Sequence, residues 1–348
     1  MAKPTMNFPV NPVLPGAGAV ANRRAFIRGA TGAGLALPVL GRFNPLDAVA
    51  QMGAGQHHAG STPEPSTPVP FAVYDPVLPP VKPGPKDFTV VALDRTVYIA
   101  DDVPFAAWTF DGTVPGRALR VVEGDTVTMT IRNEGAIHHS LDTHAAKTPA
   151  DVNYPDLAPG EEFTWSFVAT TPGAFMYHCG TPPALLHIGA GMYGAMIVDP
   201  REGWPAAREF VLVQSEFYFK GNDDEPVKTP NMTQMMYGAF MDYVVFNGHA
   251  SQYVDTPIRI KVGEPVRIFV VNAGPNVWSS FHVVGAVFDR AYVNAHPKNE
   301  LFGLQSMNIG PGDGACVEFT VEEPGLYIGV NHAFGHATHG AMAKFIAE

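Results

Sequence analysis

From Asp87 onward, hydrophobic and polar residues alternate in short runs broken by Gly and Pro. Thr126-Val127-Thr128-Met129-Thr130-Ile131 shows the pattern most plainly. Successive side chains of a strand point to opposite faces, so Val127, Met129 and Ile131 would line a core and the threonines would face out. No long stretch keeps the 3.6-residue period of an amphipathic helix. The pattern predicts an all-β chain of sandwich architecture. It also repeats. Gly124-Asp125 precedes Asn133 at the spacing that separates Gly263-Glu264 from Asn272. Pro159-Gly160 precedes Pro172-Gly173 as Pro311-Gly312 precedes Pro324-Gly325, and each copy closes on Gly-Ala-Met, at 194–196 and 340–342. Two copies of one sandwich are expected, over 87–204 and 205–348, with the boundary in the Pro200–Arg208 region. Between the second Pro-Gly and Gly-Ala-Met the first copy is six residues longer.

Residues 51–86 are rich in Pro, Gly, Ser and Thr and carry His57-His58. They read as a flexible arm. Ahead of them, Asn22-Arg23-Arg24-Ala25-Phe26-Ile27-Arg28 precedes a mildly apolar Gly/Ala-rich run, Gly29 to Leu40. A twin arginine before a weak apolar region is the pattern of a Tat-type signal, here 1–50, with Ala48-Val49-Ala50 as the cleavage motif. The expected location is periplasmic or secreted. The run is too short to span a bilayer, so no membrane partner is expected. The chain of 348 residues carries a formal charge of −11. That balance argues against nucleic acid as a partner. Cys179 and Cys316 are the two cysteines; both are expected to be unpaired.

Candidate chemistry concentrates where the first copy is longer. Tyr177-His178-Cys179 leads to His187 and Met192. A thiolate, an imidazole and a weak thioether form the ligand set of a blue-copper centre. Upstream, His138-His139-Ser140-Leu141-Asp142-Thr143-His144 offers further imidazoles, and one of the adjacent His138 and His139 would complete that centre. On a strand, His178 and Cys179 face opposite ways and would serve two different ions. His144 and His178 then remain for an imidazole-only site with an open position, as catalytic copper prefers. The second copy adds His282 and His332, with His336 and His339 close by, but no cysteine at the matching place.

These elements resemble the copper-containing nitrite reductases, a family of two tandem cupredoxin-like Greek-key β-sandwich domains assembled as a homotrimer. The family pattern His-x-x-Asp-x-His is matched from His139 to His144, the His-Cys pair at His178-Cys179, and the closing His and Met at His187 and Met192. The second-domain His-x-Val-Gly segment is matched at His282 to Gly285, and the final Asn-His pair at Asn331-His332. The resemblance runs from about Asp87 to the C-terminus. It implies type 1 copper held by His139, Cys179, His187 and Met192. It implies type 2 copper held by His144 and His178 of one subunit and His332 of the next. Asp142 and His282 would be the catalytic proton-handling pair, and Val284 the apolar wall of the substrate site. The implied reaction reduces nitrite by one electron to nitric oxide and water. The electron would come from a small donor protein, a cupredoxin or a cytochrome c, and pass from Cys179 to His178. Seven residues separate Cys179 from His187, which is similar to the shorter-loop branch of the family.

Two other functions fit parts of the sequence. A laccase-like multicopper oxidase reduces oxygen at a three-copper cluster bridged by His-x-His pairs, and no His-x-His occurs in this chain. A plain electron carrier would need the blue-copper ligands alone and would leave His144, His178 and His332 without a role.

Overall fold

The computed structural model describes residues 61–221 and 224–348. The expected export signal, its expected cleavage motif and residues 51–60 of the expected arm lie outside the described residues. The all-β class holds. Nineteen strands fall into four sheets, with five short helices between them among the described residues.

In the first sandwich, β1 (Lys86–Ala100), β2 (Val103–Phe110), β4 (Thr126–Asn133) and β6 (Glu162–Val168) form one sheet in the order β2-β1-β4-β6. The facing sheet runs β3-β8-β7-β5, from β3 (Leu119–Val122), β5 (Asp142–Thr143), β7 (Gly173–His178) and β8 (Tyr193–Asp199). Val127, Met129 and Ile131 point into the core and are buried, as the alternation along β4 predicts.

The second sandwich repeats this plan. Its larger sheet includes β9 (Arg208–Phe217), β12 (Val266–Gly274) and β17 (Gly314–Phe319). Its smaller sheet includes β13 (Ser279–Val284), β18 (Gly325–Asn331) and β19 (Met342–Ala347). Among the described residues, no sheet contains strands from both sides of the 199–208 connection.

The two sandwiches nevertheless pack into one compact unit. Besides a core in each, a third apolar cluster joins Ala174, Met176, Tyr193, Ala195 and Ile197 to Val211, Val213, Phe269, Val271 and Cys316. Every residue of β8 and of β12 is therefore buried. Polar anchors border this cluster. Arg267, 1% exposed, pairs with Glu209 at 2.8 Å and Glu318 at 2.6 Å, and Arg120 pairs with Asp199 at 2.9 Å and with Glu209 at 2.7 Å. Buried charges persist only when paired in this way.

Two expectations need correction. The second half of the expected flexible arm is docked. The Val69 amide donates to Thr96 O at 2.9 Å, the Tyr74 amide to Gln252 Oε1 at 2.9 Å, and Val77 bridges to Phe210. Apolar residues such as Leu78, 5% exposed, hold the segment down despite its proline content. The repeat is also aligned differently at its end. His178 pairs with Tyr193 across β7–β8, whereas Val330 pairs with Met342 across β18–β19. The structural counterpart of Gly340 is thus Gly191 rather than Gly194, and three of the six extra residues belong to the ligand loop.

Candidate metal centres

Two clusters of metal-ligating side chains meet at the end of β7. His139, Cys179 and His187 form one, and Asp142, His144 and His178 the other, each with its donor atoms within 4.8 Å of one another. Strand geometry separates them. His178 closes β7 and pairs with Asp142 of β5, while Cys179 points the opposite way into the core, fully buried.

In the buried cluster, Cys179 Sγ lies 3.3 Å from His187 Nδ1 and 3.9 Å from His139 Nδ1, and the two Nδ1 atoms are 3.2 Å apart. Donors bound to one ion at about 2.0–2.3 Å sit at such separations. A soft sulfur with two imidazoles is a copper donor set. Met192 is also fully buried. Its carbonyl accepts from the Cys179 amide at 3.1 Å, and its amide donates to His187 O at 3.1 Å. Both hydrogen bonds fold the loop back over the cluster. His187 sits in a short helix, Ala184–Gly189, under the ring of Trp108 at 4.5 Å between centroids. Burial pushes the His187 imidazole down to about 4, only partly offset by Asp156. Burial alone would raise the Cys179 thiol, but the His139 ring and the Ser140 and Thr181 amides outweigh it, so the net shift is downward. A neutral imidazole and a stabilised thiolate are the forms that bind metal.

In the other cluster, backbone carbonyls fix the ring tautomers. His144 Nδ1 lies 3.1 Å from Gly312 O, and His178 Nδ1 lies 2.9 Å from Cys179 O. A carbonyl only accepts, so each Nδ1 carries the proton and each Nε2 is left with a lone pair. The two Nε2 atoms are 3.1 Å apart. Asp142 Oδ2 lies 3.7 Å from His178 Nε2. The His178 imidazole is pushed down, first by burial, with the neighbouring His144 adding to it and Cys179 O and Asp142 opposing.

The second-sandwich residues lie elsewhere on this chain. His282 and His332 are neighbours, with ring centroids 5.3 Å apart. His282 Nδ1 donates to Gln305 O, which leaves its Nε2 open. Val284, 43% exposed, shares a face of β13 with His282. His332 is exposed and leans on Phe334 at 4.7 Å. Among the described residues, His332 joins no cluster of three His, Cys, Asp or Glu donors.

Several contributors left no sequence signal. Asp156 holds His138 Nδ1 at 2.9 Å and accepts from Thr181 Oγ1 at 2.7 Å beside the thiol loop. Gly312 and Gln305 contribute through their backbones. Nothing in a side-chain pattern marks a carbonyl that becomes a partner only after folding.

Comparison with known proteins places the chain in a family. A multicopper oxidase family model matches residues 93–203. The copper-containing nitrite reductase of Neisseria meningitidis serogroup B is 40% identical over 263 residues, covering 74% of this chain and 67% of that protein. The chain belongs to the copper-containing nitrite reductases. The copper nitrite reductase structure from Nitrosomonas europaea superposes with a TM-score of 0.71 at 38% identity, covering 76% of this chain and 94% of that one. A multicopper oxidase structure superposes with a TM-score of 0.67 at 28% identity, covering 75% and 86%. For a copper-containing nitrite reductase, the Cys179 cluster and the His144–His178 pair are the donor sets that fit copper, and the tandem sandwiches have the cupredoxin-like fold expected.

Proposed function

We propose that this protein reduces nitrite to nitric oxide and water, using one electron and two protons, as an exported homotrimer with two coppers per chain. The observation that carries the reading is the pair His178-Cys179: two adjacent residues enter two separate donor clusters. Family membership supports copper and nitrite as metal and substrate.

His139, Cys179, His187 and Met192 would hold type 1 copper. His144 and His178, with His332 of the partner subunit, would hold type 2 copper. Copper supplies a one-electron couple at both sites and, at the second, an open position for an anion. The peptide bond between Cys179 and His178 joins the two ligand sets covalently, which gives an electron from a cupredoxin or cytochrome c donor a short path. Asp142, 3.7 Å from His178 Nε2, would hydrogen-bond a nitrite oxygen, directly or through one water. His282, with Nδ1 committed to Gln305 O, would present Nε2 as the other proton relay. Val284 would give that space an apolar wall. The twin arginine at Arg23-Arg24 supports export to the periplasm or beyond, and among the described residues no helix is long and apolar enough to cross a membrane.

Metal analysis with turnover under argon and in air tests the reading. Two coppers per chain and nitrite-dependent nitric oxide release are expected. Four coppers per chain with oxygen consumption and phenol oxidation would replace it with a multicopper oxidase. His144→Ala should keep the visible thiolate absorption and abolish nitrite turnover; turnover that survives would remove His144 from the site.

A further inference from the structure

The second sandwich retains the framework of the buried metal cluster with other residues in its ligand positions. The two frameworks can be matched bond for bond. Asn133 Nδ2 donates to Ile137 O at 2.7 Å and Leu157 O at 2.8 Å. Asn272 Nδ2 donates to Val277 O at 2.8 Å and Ile309 O at 3.0 Å. That register sets Ser279 where the first sandwich has His139. The Cys179 amide donates to Met192 O at 3.1 Å, as the Asn331 amide does to Ala341 O at 3.2 Å. The Met192 amide donates to His187 O at 3.1 Å, as the Ala341 amide does to His336 O at 3.1 Å. Asn331, His336 and Ala341 therefore stand at the positions of Cys179, His187 and Met192. Even the amide aimed at the thiol recurs: Ser140 N lies 3.3 Å from Cys179 Sγ, and Ser280 N lies 3.1 Å from Asn331 Oδ1.

With no thiol to fill it, this framework is closed by a hub of amides. Asn331 Oδ1 accepts from the Ser280 and Ala333 amides, both at 3.1 Å. Its Nδ2 lies 3.0 Å from each of Gln214 Oε1, Trp278 O and His336 Nδ1. Gln214 and Asn331 are fully buried, and Gln214 Nε2 reaches on to Asn272 Oδ1 at 3.4 Å. An apolar side chain at 331 would leave the Ser280 and Ala333 amides without this acceptor. The hub brackets one residue. His332 lies between Asn331 and Ala333, both tied to the Asn331 side chain, and its own amide donates to Ser280 O at 2.7 Å. The backbone under His332 is thus pinned on three consecutive residues while its imidazole stays exposed.

We infer that the converted ligand site is the mount for His332, with Asn331 and His336 as positioning residues that aim an exposed imidazole at the type 2 copper of the neighbouring subunit. The inference rests on the reading of His332 as a ligand given above. A ligand contributed across an interface must be held in place before the metal arrives, or ordering it is charged against binding. His336 acts through Asn331, as an acceptor for Nδ2.

The test is copper titration of the full-length apoprotein, reading the histidine-bound copper by paramagnetic resonance and the thiolate-bound copper by visible absorption. His336→Leu is expected to weaken copper binding at the histidine site about 10-fold to 100-fold and to leave the thiolate band unchanged. His336→Asn, whose Oδ1 can accept in place of Nδ1, should restore binding close to wild type. Asn331→Asp, which keeps both amide bonds and loses the Nδ2 donors, should weaken the same site. Wild-type affinity in His336→Leu, alongside a His332→Ala control that loses the site, would overturn the positioning role. Equal loss of both copper signals would overturn it too, as the mark of a general folding defect. A His332→Ala control that still binds histidine-site copper would remove the underlying ligand assignment instead.

Discussion

Each residue of the site owes its chemistry to what surrounds it. Asp142 illustrates this at the histidine cluster: its carboxylate lies 3.7 Å from His178 Nε2, and the proposed function makes it the group that meets nitrite. Asp142→Asn keeps the shape and removes the proton acceptor. It should retain both coppers and lose about 10²–10⁴-fold in nitrite turnover, measured as anaerobic nitric oxide release. Full turnover would take Asp142 out of the mechanism. Glu216 is a different case, a carboxylate buried away from both clusters. Burial raises it from 4.5 to about 7, against the opposing Asn276 and Val277 amides and the Tyr218 hydroxyl. Among the described residues its Oε2 has no hydrogen-bond partner, as suits a protonated acid. The native state holds this proton more tightly than the unfolded chain does. The stabilisation is complete below about pH 4.5 and is lost as pH rises through about 7, at most about 3 kcal/mol. Glu216→Gln keeps the accepting oxygen and cannot ionise. It should raise the thermal midpoint at pH 8 and change it little at pH 5; the same change at both would refute the assignment.

At the scale of elements, sequence pattern and structure agree where a strand has one wet face. β4 alternates on paper and in space. β8 and β12 do not alternate, because both of their faces are covered, one by the sandwich's own core and the other by the neighbouring sandwich. The repeat landmark Gly194-Ala195-Met196 misled for the same reason: a buried strand of small and apolar residues matches in more than one register, and strand pairing alone chose Gly191 as the partner of Gly340. Gly191 has a reason to be glycine. Its φ is +120°, and a Cβ there would lie 2.7 Å from Val114 Cγ2 and 2.9 Å from Trp108 O. It turns the chain between His187 and Met192. Gly191→Ala should cost about 1–3 kcal/mol through this overlap and weaken the thiolate copper band, read by thermal melting and copper titration. An unchanged band would mean that the loop tolerates displacement.

At the scale of the molecule, one chain carries two separate histidine groups. Asp142, His144 and His178 cluster on the first sandwich, whereas His282 and His332 stand together on the second. If subunits share the type 2 site, complementation follows. Chains carrying His144→Ala and chains carrying His332→Ala should each be inactive alone. Randomly assembled mixed trimers should recover about a quarter of the wild-type sites, measured as nitrite turnover after co-expression. No recovery with mixed trimers present would argue that each chain builds its own site. Much of this was legible in the linear chain. The alternation announced sandwiches, the repeat announced two of them, and Cys179 and His187, with one of His138 and His139, marked a candidate metal cluster, because ligand types and strand periodicity are local properties. Adjacent His178 and Cys179 even announced two sites, since neighbours on a strand diverge. The tertiary structure alone decided which atoms complete the environment. Gly312 O sets the tautomer of His144 from 168 residues away, Asp156 braces the thiol loop, and Asn331 closes the second sandwich's counterpart of the Cys179 framework. Those partners are backbone groups and common polar side chains, and only the packing of distant strands brings them within hydrogen-bonding reach.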